Sequence, residues 1–368
     1  MRVRFDDQIF TMQQRGGISR YFVQLIREFS VDPGLGVDPE LGWRWTRNYH
    51  AIEGGLGAPL PIRALSRGCV LRTANRAVNI AQPEADLTHH TYYRADYLRR
   101  KLVRPMAVTI FDMTPELFPD LFPRGNPHQC KREYLRCASV VLCVSENTRR
   151  DLLRVYGSIA SPVVVTHLGV GGEFLPGVTR PVSCPDSYVL FVGNRGGYKD
   201  FRLVLESFAE LAPQHRGVSL LAVGGGPLAE DERALISRWG LGNRVLQRAA
   251  SDAELPGIYG GAEAFVFPSR YEGFGLPALE AMACGTPTVL ADSSSLPEIG
   301  GDAALYFPPE NASALAAQLC RLLTDSELRR HLSKQGLERA RHFTWRRTAA
   351  CTANAYRVAA SNDAVLRQ

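Results

Sequence analysis

The sequence has no Asp-x-Asp pair, no Cys-x-x-Cys, no apolar run near the roughly 18 residues of a membrane span, and no P-loop, G-x-S-x-G or H-E-x-x-H motif. Each absence closes a class. Without Asp-x-Asp the usual carboxylate grip on a metal-bound diphosphate is missing, so phosphate chemistry here is expected to need no metal and no resident cofactor. Eight cysteines lie singly, and Cys143, Cys284 and Cys320 fall in apolar stretches, which points to buried reduced thiols rather than disulfides or zinc. The opening Met1-Arg-Val-Arg-Phe-Asp-Asp7 carries charges where a secretion signal needs an apolar stretch, so the expected compartment is the cytoplasm. No helix-turn-helix, zinc-finger or RNP-like pattern accompanies the basic residues, and nucleic acid is not an expected partner.

What is present suits a folded chain of two domains: 368 residues exceed one ordinary core, with 45% apolar and 22% charged residues. The net charge of +6 is lopsided. Residues 1–180 carry 24 Lys and Arg against 17 Asp and Glu, whereas 181–368 carry 19 against 20. The basic half is either an ordinary arginine-rich surface or a face for anionic lipid headgroups or a lipid-diphosphate acceptor, through Arg94, Arg99, Arg100, Lys101 and Arg104; the latter implies peripheral association with a membrane.

Short apolar runs alternate with helical stretches, which predicts an α/β architecture of parallel sheets with crossover helices. In the first half, strands are expected at 3–5, 86–89, 106–111, 140–144 and 163–167, and helices at 18–29, 64–80, 127–138 and 146–156, the last capped by Ser145. Residues 171–186, with Pro176, Pro181 and Pro185, have linker composition. A second alternation follows, with strands at 188–192, 218–223, 245–247, 264–267, 288–291 and 304–307. Ser251-Asp-Ala-Glu254 and Thr324-Asp-Ser-Glu327 read as capping boxes.

The richest stretch is Ser269-Arg-Tyr-Glu-Gly-Phe-Gly-Leu-Pro-Ala-Leu-Glu-Ala-Met-Ala-Cys-Gly-Thr-Pro287. Residues 276–283 are good helix formers with Pro277 in the first turn and Gly285 as the stop. The turn Glu272-Gly-Phe-Gly275 lets bare backbone approach a ligand, and the helix N-terminus at Gly275 and Leu276 attracts a diphosphate. Glu280, one turn inside, can accept from a ribose diol, and Glu272 from sugar hydroxyls. Upstream, Leu190-Phe-Val-Gly-Asn-Arg-Gly-Gly-Tyr-Lys199 sets Arg195 and Lys199 on a turn after a strand, either as diphosphate-neutralising cations or as a solvated loop.

With Phe265-Val-Phe-Pro-Ser269 before it and Ala281-Met-Ala-Cys-Gly-Thr-Pro287 after it, this Glu-x7-Glu frame resembles the retaining GT-B glycosyltransferases of the group 1, family 4 type. The opening Phe5 to Phe22 is further similar to bacterial O-antigen and capsule mannosyltransferases. The resemblance implies two Rossmann-like domains facing a cleft, an acceptor-binding one at 1–172 and a nucleotide-sugar-binding one at 173–345, with a helix at 346–368 crossing back onto the first. It also implies metal-free transfer of a hexose from a nucleotide sugar, with mannose from GDP-mannose preferred over a UDP-sugar or a deoxyhexose donor. The acceptor is a glycan or lipid-linked oligosaccharide of surface polysaccharide synthesis, and the anomeric configuration is retained. A non-catalytic glycan- or nucleotide-binding subunit on the same fold is the alternative.

In the first half, the glycines of Arg15-Gly-Gly-Ile-Ser-Arg20 resemble the family's loop over the donor diphosphate, and Gly17, at the helix start, is its expected contact. His89, in Asp86-Leu-Thr-His-His-Thr-Tyr-Tyr93, matches the family's histidine at a strand end. Two departures stand out. Phe111 occupies a position where many relatives have histidine, which leaves Asp112 to orient a hydroxyl, or else to cap the surface. Asn194 stands where relatives place arginine, so Arg195 is a displaced counterpart and Lys199 the closer match. Asp112, His89 and Glu272 are thus the expected catalytic residues, and Gly17, Arg195, Lys199, Gly275, Leu276 and Glu280 the expected donor contacts.

Overall fold

The computed structural model describes residues 1–59, 70–75, 85–98, 105–123 and 125–366, and divides the chain into two units. One comprises Met1–Gly169 with Trp345–Gln368, the other Val170–Thr344. Residues 345 onward are thus grouped with the first unit. The two chain crossings lie side by side, the Val170 N–H donating to the Phe343 carbonyl at 3.0 Å.

The first unit is built on a sheet of six parallel strands: β1 (Arg2–Phe5), β2 (Asp38–Leu41), β3 (Leu87–His90), β4 (Met106–Ile110), β5 (Val140–Cys143) and β6 (Val163–Val165), in the order β2-β1-β3-β4-β5-β6. Central β4 and β5 read Met-Ala-Val-Thr-Ile and Val-Val-Leu-Cys and are buried at every residue, as a strand covered on both faces requires. The helix Gly17–Val31 turns Tyr21, Phe22, Leu25, Ile26 and Phe29 into the core, two neighbours per turn. Against it packs the helix Trp345–Leu366, with the Phe29 and Tyr356 rings 6.0 Å apart and Arg346 paired to Asp32 at 3.1 Å.

The second unit repeats the plan with β7 (Tyr188–Val192), β8 (Ser219–Val223), β9 (Val245–Arg248), β10 (Ala264–Phe267), β11 (Thr288–Ala291) and β12 (Ala304–Phe307), all parallel. Their order, β12-β11-β10-β7-β8-β9, reverses direction between β7 and β10. The carboxyl ends of those two strands mark the topological switch point, the usual ligand position in such sheets.

Ser145 caps the helix Glu146–Tyr156 as expected, accepting from the Thr148 N–H at 3.0 Å, worth about 1 kcal/mol. Two features depart from the sequence reading. β2, Asp-Pro-Glu-Leu, lacks strand periodicity; it forms because an edge strand pairs on one side only and tolerates Pro39 there. Thr324 is the last residue of the helix Ala312–Thr324, its hydroxyl donating back to the Cys320 carbonyl, and the cap of the next helix is Asp325, which accepts from the Leu328 N–H at 2.9 Å. The helix expected at 64–80 falls largely outside the described residues, as do Arg99, Arg100, Lys101 and Arg104.

Candidate active site

In the second unit the loops after β7 and β10 meet at the switch point, where the Arg270 N–H donates to the Tyr198 carbonyl at 2.8 Å. This seam brings Lys199 against Glu272 in an ion pair, the lysine and glutamate side chains 18% and 11% exposed. The ammonium also lies over the Phe267 ring, 5.1 Å from its centroid. Glu272 is fixed at its backbone too: its N–H donates to Ser294 Oγ at 2.9 Å and its carbonyl accepts from Ser295 Oγ at 2.9 Å. Ser295 reaches the Phe274 carbonyl as well, at 2.8 Å, so the loop after β11 braces the whole glycine turn. Ser294 does this from a left-handed backbone, φ 50°, a conformation of the kind that clusters where function demands it.

The turn ends on Gly275, φ 107°, the N-cap of the helix Leu276–Ala283. A Cβ there would come within 2.8 Å of Leu296 Cδ2, so the position needs glycine for both backbone and space. Glu280 is buried inside the helix, 4% exposed, and accepts from the Tyr259 hydroxyl at 3.1 Å. Lys199, Glu272, Gly275, Leu276 and Glu280 thus all lie on this short stretch of the second unit's carboxyl edge.

Arg195 is placed differently. Its Nε donates to Glu232 at 2.9 Å, and its terminal nitrogens donate to the carbonyls of Gly224 (2.6 Å), Gly226 (3.0 Å) and Pro227 (2.6 Å). At 8% exposure its guanidinium clamps a turn of three glycines at φ 95°, 68° and 72°, where the sequence suggested a diphosphate contact or a solvated loop. The physical reason is that such a turn directs several carbonyls to one side, and a planar five-donor group satisfies them.

His89 lies in the first unit. It is fully buried among Phe5, Phe22 and Tyr356, with Nδ1 2.6 Å from the Tyr356 hydroxyl and Nε2 2.9 Å from Thr109 Oγ1. Burial pushes its pKa down to about 3, so it is a neutral core residue that ties β3 to β4 and to the C-terminal helix. The histidine at the strand end is His90, whose Nδ1 lies 2.6 Å from Asp6 Oδ2. Asp6 accepts as well from Gln8 and Thr91. Burial alone would raise the Asp6 pKa; these donors hold it below the carboxylate range. The sequence offers no signal to choose between adjacent histidines, since both faces of a parallel sheet are buried.

Asp112 follows β4 and is half-buried, its Oδ1 accepting from the Thr114 N–H at 2.9 Å and its carbonyl from Lys131 Nζ at 3.0 Å. Gly17 is the first residue of its helix, and a Cβ there would meet nothing within 4 Å. Ser293 to Ser295, Asp6 and His90 were not picked out by motif; three consecutive serines after a strand were the available signal. Among the described residues no three His, Cys, Asp or Glu side chains stand close enough to hold a metal ion, and no helix is long and apolar enough to cross a membrane.

The family model for glycosyl transferases group 1 matches residues 183–339, the unit that carries the Lys199–Glu272 seam. The O-antigen chain mannosyltransferase B of Escherichia coli is 31% identical over 283 residues, 71% of this chain and 72% of that one. The chain belongs to the group 1 glycosyltransferases. Its fold is GT-B: sucrose-phosphate synthase from Thermosynechococcus elongatus matches with a TM-score of 0.73 at 23% identity, covering 97% of this chain and 98% of its own. Anabaena HepE in complex with UDP and glucose matches with a TM-score of 0.71 at 19% identity, covering 96% and 97%. This glycosyltransferase is therefore an enzyme that transfers sugar, and it resembles bacterial O-antigen mannosyltransferases.

Proposed function

We propose that the enzyme transfers mannose from GDP-mannose, with retained configuration and no metal ion, to a glycan or lipid-linked oligosaccharide of a bacterial surface polysaccharide. The Lys199–Glu272 seam beside the N-terminus of the helix Leu276–Ala283 is the observation that carries this reading. The lysine and the Gly275 and Leu276 N–H groups neutralise the diphosphate as charge builds on the leaving nucleotide, the part a divalent ion plays elsewhere. Glu280, oriented by Tyr259, accepts from the ribose diol. Glu272, braced by Ser294, accepts from hydroxyls of the transferred sugar. Asp112 and Gly17 are the first unit's assigned catalytic and donor residues, while Arg195 and His89 enter only as supports of the turn and the core. The mannosyltransferase resemblance favours GDP-mannose over UDP-sugars.

The test is turnover of GDP-mannose, UDP-glucose, UDP-N-acetylglucosamine and a nucleotide deoxyhexose, with NMR of the product anomer. GDP-mannose turnover to an α-linked product is expected. Turnover of a UDP-sugar alone sinks the mannose assignment, a β-linked product sinks retention, and undiminished rate in EDTA is the expected mark of metal-free transfer. Glu280→Ala should cost at least tenfold in transfer with the fold intact.

A further inference from the structure

The loop after β3 is pinned at almost every residue from 92 to 96. The Tyr92 hydroxyl lies 2.9 Å from His128 Nε2, and the Tyr93 hydroxyl donates to the Thr109 carbonyl at 2.5 Å. The Arg94 N–H donates to Gln8 Oε1 and the Arg94 carbonyl accepts from the Tyr134 hydroxyl, each at 2.9 Å. Arg94 Nε pairs with Asp96 Oδ1, again at 2.9 Å. Tyr92 and Tyr93 are themselves stacked, 5.1 Å between centroids at 29°. A surface loop tied this thoroughly has little conformational entropy left to lose when a ligand arrives.

The front of this loop walls a cavity of about 370 Å³, completed by Met12, Pro127, Gln129 and Cys130. It lies wholly in the first unit, among segments that follow the carboxyl ends of β1, β3 and β4, where open α/β sheets take ligands. Its chemistry is mixed. Tyr92 and Met12 offer apolar contact, while Asp96, paired to Arg94 at 2.9 Å and to Arg72 behind it at 3.9 Å, leaves donors and acceptors of the Arg94–Asp96 pair for hydroxyl groups. A pyranose has the matching pattern, an apolar C–H face and a rim of neutral hydroxyls; an isolated phosphate would meet Asp96.

We propose that this cavity seats a neutral pyranose residue of the acceptor glycan, with Tyr92 as platform and the Arg94–Asp96 pair reading its hydroxyls. The assignment rests on the glycosyl-transfer reading but not on the donor's identity. Saturation-transfer NMR with α-mannobiose, methyl α-mannoside and chitobiose, alongside GDP binding by calorimetry, tests it on the full chain. Wild type should bind at least one saccharide saturably. Tyr92→Ala and Arg94→Ala should each weaken that binding at least fivefold, Tyr92→Phe should stay within about twofold, and GDP affinity should be unchanged throughout. Unaltered saccharide binding in folded Tyr92→Ala and Arg94→Ala, displacement of the sugar by inorganic phosphate, or no saccharide binding by wild type would overturn it. Saccharide binding without GDP binding would instead keep the cavity and remove the donor reading.

Discussion

Among the described residues each unit holds one lysine–glutamate pair beyond a central strand of its sheet, and the two pairs do opposite jobs. Lys131 and Glu116 in the first unit are 0% and 6% exposed at 3.0 Å. The Lys131 ammonium also holds the Asp112 carbonyl, and Glu116 also accepts from the Tyr156 hydroxyl at 3.0 Å, so this pair is closed inside a satisfied network. Lys199 and Glu272 lie at the switch point, partly open to solvent, in a stretch braced by serines and ending at a helix N-terminus. A fully desolvated pair fixes structure and is costly to break; a pair that keeps some access to water remains available to a ligand.

The sharpest way to break the comparison is to remove one member of the closed pair. Lys131→Met leaves Glu116 buried without its counter-ion, and urea unfolding should show a loss of about 3–5 kcal/mol. The double change Lys131→Met with Glu116→Met, which replaces both charges by apolar groups of similar volume, should recover most of that loss. A double variant as unstable as the single one would show that the pair is more than a local charge balance. On the open pair the readout reverses. Lys199→Met or Glu272→Gln, at a pair that keeps some access to water, should cost less unfolding free energy than Lys131→Met. Each should nevertheless lower kcat for sugar transfer by about 10²–10³, the scale of losing one aimed electrostatic group. Loss of stability without loss of kcat would reverse the roles assigned to the two pairs.

The same contrast explains what could be read from the sequence. In the second unit the Glu-x7-Glu stretch is local: Glu272, Gly275, Leu276 and Glu280 lie on one turn and one helix, so spacing alone conveys their geometry. β7, β10 and β12 are uninterrupted apolar runs, and these three and β11 have the expected bounds. Arg195 escaped because its partners, Gly224 to Pro227 and Glu232, are remote in sequence, and nothing local says that a guanidinium will turn toward them. In the first unit the informative contacts are almost all long-range. His89 is identified as a core residue only by Tyr356, 267 positions away, and Asp6 meets His90 across 84. Strand periodicity cannot separate His89 from His90 where both faces are covered.

Acid should sharpen the comparison next, because His89 and His128, whose pKa values burial depresses, lie in the first unit. Burial holds His89 down to about 3 and His128 to about 4, against an ordinary 6.5. The unfolded chain therefore takes up protons that the folded one refuses. The stability these residues contribute is complete above about pH 6.5 and falls as pH drops toward their folded values, by about 1.4 kcal/mol per pH unit for each such group. Hydrogen exchange at pH 5 should show the first unit opening before the second, and the slope of stability against pH should be shallower in His89→Gln. Opening that begins in the second unit would contradict this.

The smallest expected effect separates two glycines that the sequence presents alike. Gly275→Ala meets a left-handed backbone and a Cβ within 2.8 Å of Leu296 Cδ2, and should cost about 1–2 kcal/mol of stability. Gly17→Ala meets open space in a helix's first turn and should leave the unfolding free energy within about 0.5 kcal/mol, since alanine is the better helix former. If the space beside Gly17 is left for a diphosphate, the added methyl should still raise the KM for the nucleotide sugar while the thermal midpoint holds. A Gly17→Ala enzyme with unchanged KM would mean that the first unit's glycine loop is only a turn, and that the backbone approach to the donor is confined to Gly275.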